Sequence, residues 1–189
     1  QKSQYDQMTG WLGHELGSRG VMLEGVTNGI EPSDFSPMAD DFPVAYRYNP
    51  GAASDNLEGK KLFKQNFITQ LTNPCTYSGI EQFGYINRAN EGPLFTFIGR
   101  LSGQKGVDLV LEVLPVFLAQ NSNVNITVLG SGESDLESGL QYLAGEERFS
   151  GRICYFKGFN SDLADNVYSA GDYFVIPSRF EPCGLTDFI

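Results

Sequence analysis

Four short apolar runs set the frame for this chain: "LFTFIG" (94–99), "VNITVLG" (124–130), "RICYFKG" (152–158) and "DYFVIPS" (172–178). Each has strand length, is rich in β-branched or aromatic residues, and breaks into a Gly- or Pro-containing turn. Between them lie "VDLVLEVLPVFLAQ", "DLESGLQYLAGEE" and "SDLADNVYSAG", which carry helical length and periodicity. Strands that alternate with helices in this way form βαβ units of a parallel sheet. The strands are continuous apolar runs because both faces of such a sheet are covered. The expected fold is therefore α/β, an open, doubly wound parallel sheet. Pro115 is expected to kink or divide its helix, and Ser161 is a candidate N-cap. The final "CGLTDFI" reads as the start of another helix.

The earlier part of the chain is less patterned. Residues 1–24 are polar and Gly-rich, with a short helix ending near Gly17, and read as a leading or interdomain segment. Residues 25–189 read as one partial domain. "GVTNGIEPSDFSP" is a short apolar step followed by turn formers. Residues 38–92 read as surface connections around one helix, "LEGKKLFKQNFITQL"; the segment "CTYSGIEQFGYINRANEGP" is counted among those connections.

Composition narrows the chemistry. With 13 Lys+Arg against 23 Asp+Glu the net charge is −10, a field that repels nucleic acid and anionic lipid. An anion site here must be a local positive pocket. No apolar run approaches the roughly 20 residues of a membrane span. Three cysteines without a CxxC pair, and a single histidine, argue against a zinc site and against a Ser-His-Asp or Cys-His catalytic set. The thiols are expected to be reduced, as in a cytosol-like compartment.

In a doubly wound sheet, ligands bind outside the carboxyl ends of the strands. The loops there are "GRLSGQKG", "GSGES", "GFNS" and "PSRFEPCG". Arg100 and Lys105 flank a Gly-flexible strand–helix junction, where free N–H groups and the helix dipole favour an anion such as a diphosphate; alternatively both are solvated loop charges. The GxxxxGK[ST] spacing of a Walker loop is absent. Gly130 and Gly132 permit either a ligand close to the backbone or simply a tight turn. Phe159 offers a ring for stacking on a base, or a core contact. Glu181 is placed to accept bonds from sugar hydroxyls or to offset developing positive charge, or to cap a helix. Cys183 is a candidate reactive thiol at a helix start, or a small packing residue.

The segments "GVTNGIEPSDFSP", "PLFTFIGRLSGQKGVDLVLEVLP", "LGSGE" and "DYFVIPSRFEPCGLTDF" together resemble, in order and spacing, the C-terminal half of the bacterial glycogen synthase and plant starch synthase family. The resemblance covers about residues 20–37 and 93–189. It implies one of two facing Rossmann-like domains of a GT-B fold, incomplete at both ends. It also implies a retaining α-1,4-glucosyltransferase that moves glucose from ADP-glucose or UDP-glucose to an α-glucan, without a cofactor or metal. By the same resemblance Arg100, Lys105 and Glu181 are the catalytic residues: the two cations hold the donor diphosphate and stabilise the leaving nucleotide, and Glu181 lies at the donor sugar. Cys183, Gly184 and Leu185 line the sugar and phosphate pocket, with Thr186 beside them in contact with substrate. Gly130 and Gly132 border the donor, Phe159 stands against the base, and Asn28 lies near the interdomain hinge. The family usually continues "NGID", whereas Glu31 follows here. The implied location is the cytoplasm of a bacterium or the plastid of a plant.

Two other readings stand beside this one. Another GT-B glycosyltransferase or sugar-nucleotide enzyme commonly carries a Glu-x7-Glu pair, but the position that pairs with Glu181 is Ile189. A non-catalytic nucleotide- or glucan-binding module has no need for Arg100, Lys105 and Glu181 together. Because GT-B catalysis takes place between two domains, the 189-residue chain alone is expected to be inactive. Its sheet is expected to leave apolar surface uncovered, which favours self-association.

Overall fold

The structure is a computed structural model and describes residues 11–22, 24, 26, 28–71, 74–181 and 184. Among the described residues five strands form one sheet: β1 (Ile80–Ile86), β2 (Leu94–Ile98), β3 (Asn125–Gly130), β4 (Arg152–Gly158) and β5 (Tyr173–Phe174). Their spatial order is β1-β4-β3-β2-β5. The pairs β4–β3, β3–β2 and β2–β5 are parallel, in registers such as Ile126 opposite Ile153 and Thr96 opposite Thr127. The sheet is thus mostly parallel and flanked by helices, as in a Rossmann-like half-domain.

The helices are α1 (Leu12–Ser18), α2 (Glu58–Leu71), α3 (Val107–Gln120), α4 (Ser134–Gly145) and α5 (Ser161–Ala170). Alternation along β4 shows how the sheet divides the core, since successive side chains point to opposite faces. Ile153 and Tyr155 pack with Leu114 and Leu118 of α3 and Leu136, Leu140 and Leu143 of α4. Cys154 and Phe156 pack on the other face with Phe63, Phe67 and Leu71 of α2 and Leu163 and Val167 of α5. All six residues of β3 are buried, as expected of a central strand in a doubly wound sheet.

Four expectations are corrected. The segment assigned to surface connections contains β1, which pairs antiparallel with β4 from Ile80–Gly158 to Ile86–Arg152, so the sheet is mixed. Its strand pattern is hidden by Gly84, which has φ +68°; a Cβ there would lie 2.4 Å from the Ile153 carbonyl oxygen and 2.9 Å from that of Ala144. Pro115 does not divide its segment: α3 runs unbroken from Val107 to Gln120. Burial of Leu114 and Leu118 on either side outweighs a proline penalty of about 3 kcal/mol. The cap of α5 is Asn160, whose Oδ1 accepts from Leu163 N at 2.9 Å, while Ser161 is the first helical residue. The last strand is two residues long, continued by one bond from Val175 N to Thr96 O at 2.8 Å.

Lysines of α2 fasten the end of α5 to the sheet. Lys60 Nζ donates to the carbonyls of Ser169 and Gly171, both at 2.6 Å, a favourable place for a cation at a helix C-terminus. Lys64 Nζ meets Asp172 Oδ2 at 2.6 Å, and the same oxygen accepts from Leu94 N at 2.7 Å. Along α3 and the β2–β5 edge runs an apolar groove of about 300 Å³, walled by Phe95, Val113, Phe117 and Val175. Among the described residues no helix is long and apolar enough to cross a membrane.

Candidate functional site

Parallel pairing brings the carboxyl ends of β2, β3, β4 and β5 to one side of the sheet, together with the start of β1. The loop after β2 (residues 99–106) leans on the loop after β3. Leu101 is fully buried, forms an isolated bridge with Gly132, and exchanges backbone bonds with Ser131 and Glu133. This contact is close enough to require glycine. A Cβ on Gly130 would lie 1.9 Å from the Gly99 oxygen, and one on Gly132 would lie 2.0 Å from the Leu101 oxygen. The fold therefore demands both glycines before any ligand is considered. Glu137 holds the turn from the helix side: its Oε1 accepts from Gly132 N at 2.8 Å and its Oε2 meets Lys157 Nζ at 2.9 Å. The Gly132 N–H and then Lys157 hold its carboxyl below the usual range.

Arg100 projects between Gly99 and the buried Leu101. It is exposed, and no hydrogen bond or ion pair joins its side chain to another described residue. Lys105, five residues on, reaches across to the loop after β5, where its Nζ lies 2.5 Å from Glu181 Oε1. Ser178 Oγ donates to the same oxygen at 2.6 Å. Burial pushes the Glu181 carboxyl up, but the bonds from Lys105 and Ser178 and the ammonium charge outweigh it, leaving the group below its ordinary value. Among the described residues, the trio singled out by the sequence thus divides into a guanidinium without a partner and an ammonium–carboxylate pair.

The two loops are also joined beside that pair. Arg179 makes a two-point ion pair with Asp108, Nη1–Oδ1 2.6 Å and Nη2–Oδ2 2.7 Å, and donates from Nη1 to the Gly103 oxygen at 2.6 Å. Arg179 N donates to Gln104 O at 2.9 Å, and Gln104 Nε2 to Phe180 O at 3.1 Å. Gly106 adopts φ +70° and packs against Pro177; a Cβ there would lie 2.1 Å from the Pro177 oxygen. Asp108, Ser178, Gln104 and Gly106 are not marked for this site by any motif in the sequence. A charge three residues after Lys105 and another two before Glu181 were the available signals, but nothing local says that they meet.

Phe159 is 79% exposed just past β4, so its ring is not a core contact. Beside it a cleft of about 420 Å³ is lined by Gly79, Ile80, Glu81, Ser131, Lys157 and Gly158. Asn28 is exposed and has no side-chain bond to another described residue. Gly184 has φ +65°. Cys183, Leu185, Thr186 and the expected terminal helix lie outside the described residues.

A mostly parallel, helix-flanked sheet with cations and a carboxylate on the loops at its carboxyl ends defines a Rossmann-like half-domain whose strand-end loops form the candidate site. The profile of the family described as "Glycosyl transferases group 1" matches residues 80–186, more than half of the chain, and the chain belongs to that family. Within it, sequence and fold match the glycogen and starch synthases. The chain is 35% identical over 175 residues to the glycogen synthase of Granulibacter bethesdensis, covering 93% of this chain and 32% of that protein. It is 36% identical over 167 residues to the glycogen synthase of Lacticaseibacillus casei, covering 88% and 30%. The pea granule-bound starch synthase 1 is 34% identical over 167 residues, covering 88% and 24%. The catalytic domain of starch synthase IV from Arabidopsis thaliana, solved with ADP and acarbose bound, superposes with a TM-score of 0.69 at 28% identity, covering 93% of this chain and 32% of that one. The chain spans about a third or less of the length of these relatives.

Proposed function

We propose that the chain is the donor-binding portion of a retaining α-1,4-glucosyltransferase of the glycogen or starch synthase type, transferring glucose from ADP-glucose to an α-glucan. The observation that supports this reading is the contact of Lys105 with Glu181 across two strand-end loops, the first of which also carries Arg100, in a protein whose net charge is otherwise strongly negative. Arg100 and Lys105 would bind the diphosphate and stabilise the charge that develops on the leaving nucleotide. Arg100 is ready for this role as it stands, whereas Lys105 must exchange Glu181 for a phosphate oxygen. Glu181, once released, would accept from sugar hydroxyls or offset positive charge at the anomeric carbon. The base would stack on Phe159, with the neighbouring cleft taking the nucleoside and Gly130 and Gly132 allowing the phosphates close to the backbone. Cys183, Gly184, Leu185 and Thr186 would complete the sugar side, and Asn28 would stand near the hinge.

In this reading residues 25–189 are part of a nucleotide-sugar-binding domain, preceded by a leading segment at 1–24. The acceptor glucan approaches from a facing domain, in bacterial cytoplasm or a plant plastid. Calorimetry with ADP, UDP and ADP-glucose tests the donor site. Wild type is expected to bind ADP, with Arg100→Ala and Lys105→Ala each weakening it by roughly tenfold or more. Equal ADP binding by wild type and both variants would overturn the diphosphate assignment. Glucosyl transfer to glycogen by the 189-residue chain alone is not expected, and its detection would contradict the need for a facing domain.

A further inference from the structure

We propose that Asp108 and Arg179 are positioning residues, forming a clamp that sets the separation and orientation of Lys105 and Glu181 at the proposed donor site. The ligand role of that pair rests on the function proposed above, but the clamp itself does not. β5 ends at Phe174 and its last ladder bond is made by Val175, so the chain has left the sheet when it reaches Glu181. What it meets there is the 103–108 segment. Arg179 contributes three side-chain bonds and one backbone bond to that segment, and Gln104 returns one to Phe180. Every one of these contacts lies within three residues of Lys105 or Glu181. The close approach of Gly106 to Pro177 prevents the two segments from sliding together while keeping the bonds in register.

The chemistry of the clamp favours geometry over stability. Asp108 and Arg179 side chains are each 45% exposed, and ion pairs so open to water add little to folding. A bidentate carboxylate–guanidinium pair is nevertheless directional, because the planar fork fixes both angle and distance. Asp108 lies in the first turn of α3, so the fork is referred to a rigid helix that packs on the sheet. Lysine at position 179 would keep the charge and lose the fork. A site in which an ammonium and a carboxylate must exchange each other for two parts of one donor needs the segments that carry them held in a fixed relation.

The test is carbon-13 NMR titration of the Glu181 carboxyl in the 189-residue chain, for wild type, Asp108→Asn and Arg179→Lys. Glu137 serves as an internal control, because its partners Gly132 and Lys157 lie outside the clamp. The Glu181 midpoint is expected to rise towards the ordinary carboxylate range in both variants, with Glu137 and the thermal unfolding midpoint unchanged. ADP affinity is expected to fall roughly tenfold in both, with adenosine affinity unaffected. An unchanged Glu181 titration, or wild-type ADP affinity in both variants, overturns the proposal. Two variants on different segments guard against a local folding defect in either one. If wild type itself does not bind ADP, the donor-site reading fails, while the carboxyl titration still decides the clamp.

Discussion

Lys105 Nζ and Glu181 Oε1 stand 2.5 Å apart although they are 76 positions apart in the chain. Each of these groups is the other's counter-ion. In the proposed donor-site reading, an incoming diphosphate would compete with Glu181 for the ammonium, and the freed carboxylate would become available to the sugar. Donor binding and release of Glu181 would then be one event.

The pairing makes a test of opposite sign to a simple loss of contact. Glu181→Gln keeps the shape and removes the charge, so Lys105 no longer has an anionic competitor. ADP should bind about threefold more tightly or better to this variant at low ionic strength, with the gain shrinking as salt rises. Calorimetry decides it, and weaker ADP binding by the variant would show that the two groups do not compete.

Phe159 separates stacking from packing. Its ring is 79% exposed, so Phe159→Ala should leave unfolding free energy within about 0.5 kcal/mol of wild type. If the ring carries the base, ADP affinity should fall by about 1–3 kcal/mol, and Phe159→Trp should retain it. Denaturant titration and calorimetry on the same preparations check both halves.

Gly106→Ala is expected to damage the contact between the 99–106 and 177–181 loops. It combines a left-handed backbone, φ +70°, with a Cβ placed 2.1 Å from the Pro177 oxygen. Destabilisation of about 2–4 kcal/mol should appear in urea unfolding. A change below about 0.5 kcal/mol would mean that the two loops separate freely.

Lys60 predicts a particular alkaline behaviour. Burial lowers its ammonium to about 8, against the attraction of Asp172 and with help from the neighbouring Lys64. The ordinary lysine value of 10.5 applies in the unfolded chain. Between these values the unfolded chain holds a proton that the native protein has released, so this group raises stability as pH rises from about 8 to 10.5. The buried Cys154 thiol is pushed up and acts in the opposite direction above the ordinary thiol range. Comparing wild type with Lys60→Met cancels that contribution. Unfolding midpoints measured from pH 7.5 to 10 should show wild type gaining on the variant, and a constant difference would refute the assignment.

The central strands were readable because their surroundings are uniform. β3 is buried on both faces along its whole length, and a residue run that must be apolar everywhere announces itself. β1 has no such signature. It lies at a sheet edge, its outward positions include Glu81 and Tyr85, and Gly84 sits where α4 presses on the strand. Charge and glycine there read locally as a turn, and only pairing with β4 makes the segment a strand. The cap of α5 is ambiguous by one residue for a similar reason, since Asn160 and Ser161 carry equivalent local signals. At the site, Arg100, Lys105 and Glu181 were legible as types on strand-end loops, but the Asp108–Arg179 contact was not.

By itself, the sequence determined where the parallel strands and their helices lie and which loops fall at the strand ends, because burial on both faces and helical periodicity are local properties. Only the tertiary structure decided that β1 closes the sheet beside β4, that the glycines of the β3 loop seat Leu101, and that the loops after β2 and β5 lock together around Lys105 and Glu181. Those outcomes depend on which strands become neighbours. That choice is made by burial and hydrogen bonding summed over residues far apart in the chain, and no local pattern encodes it.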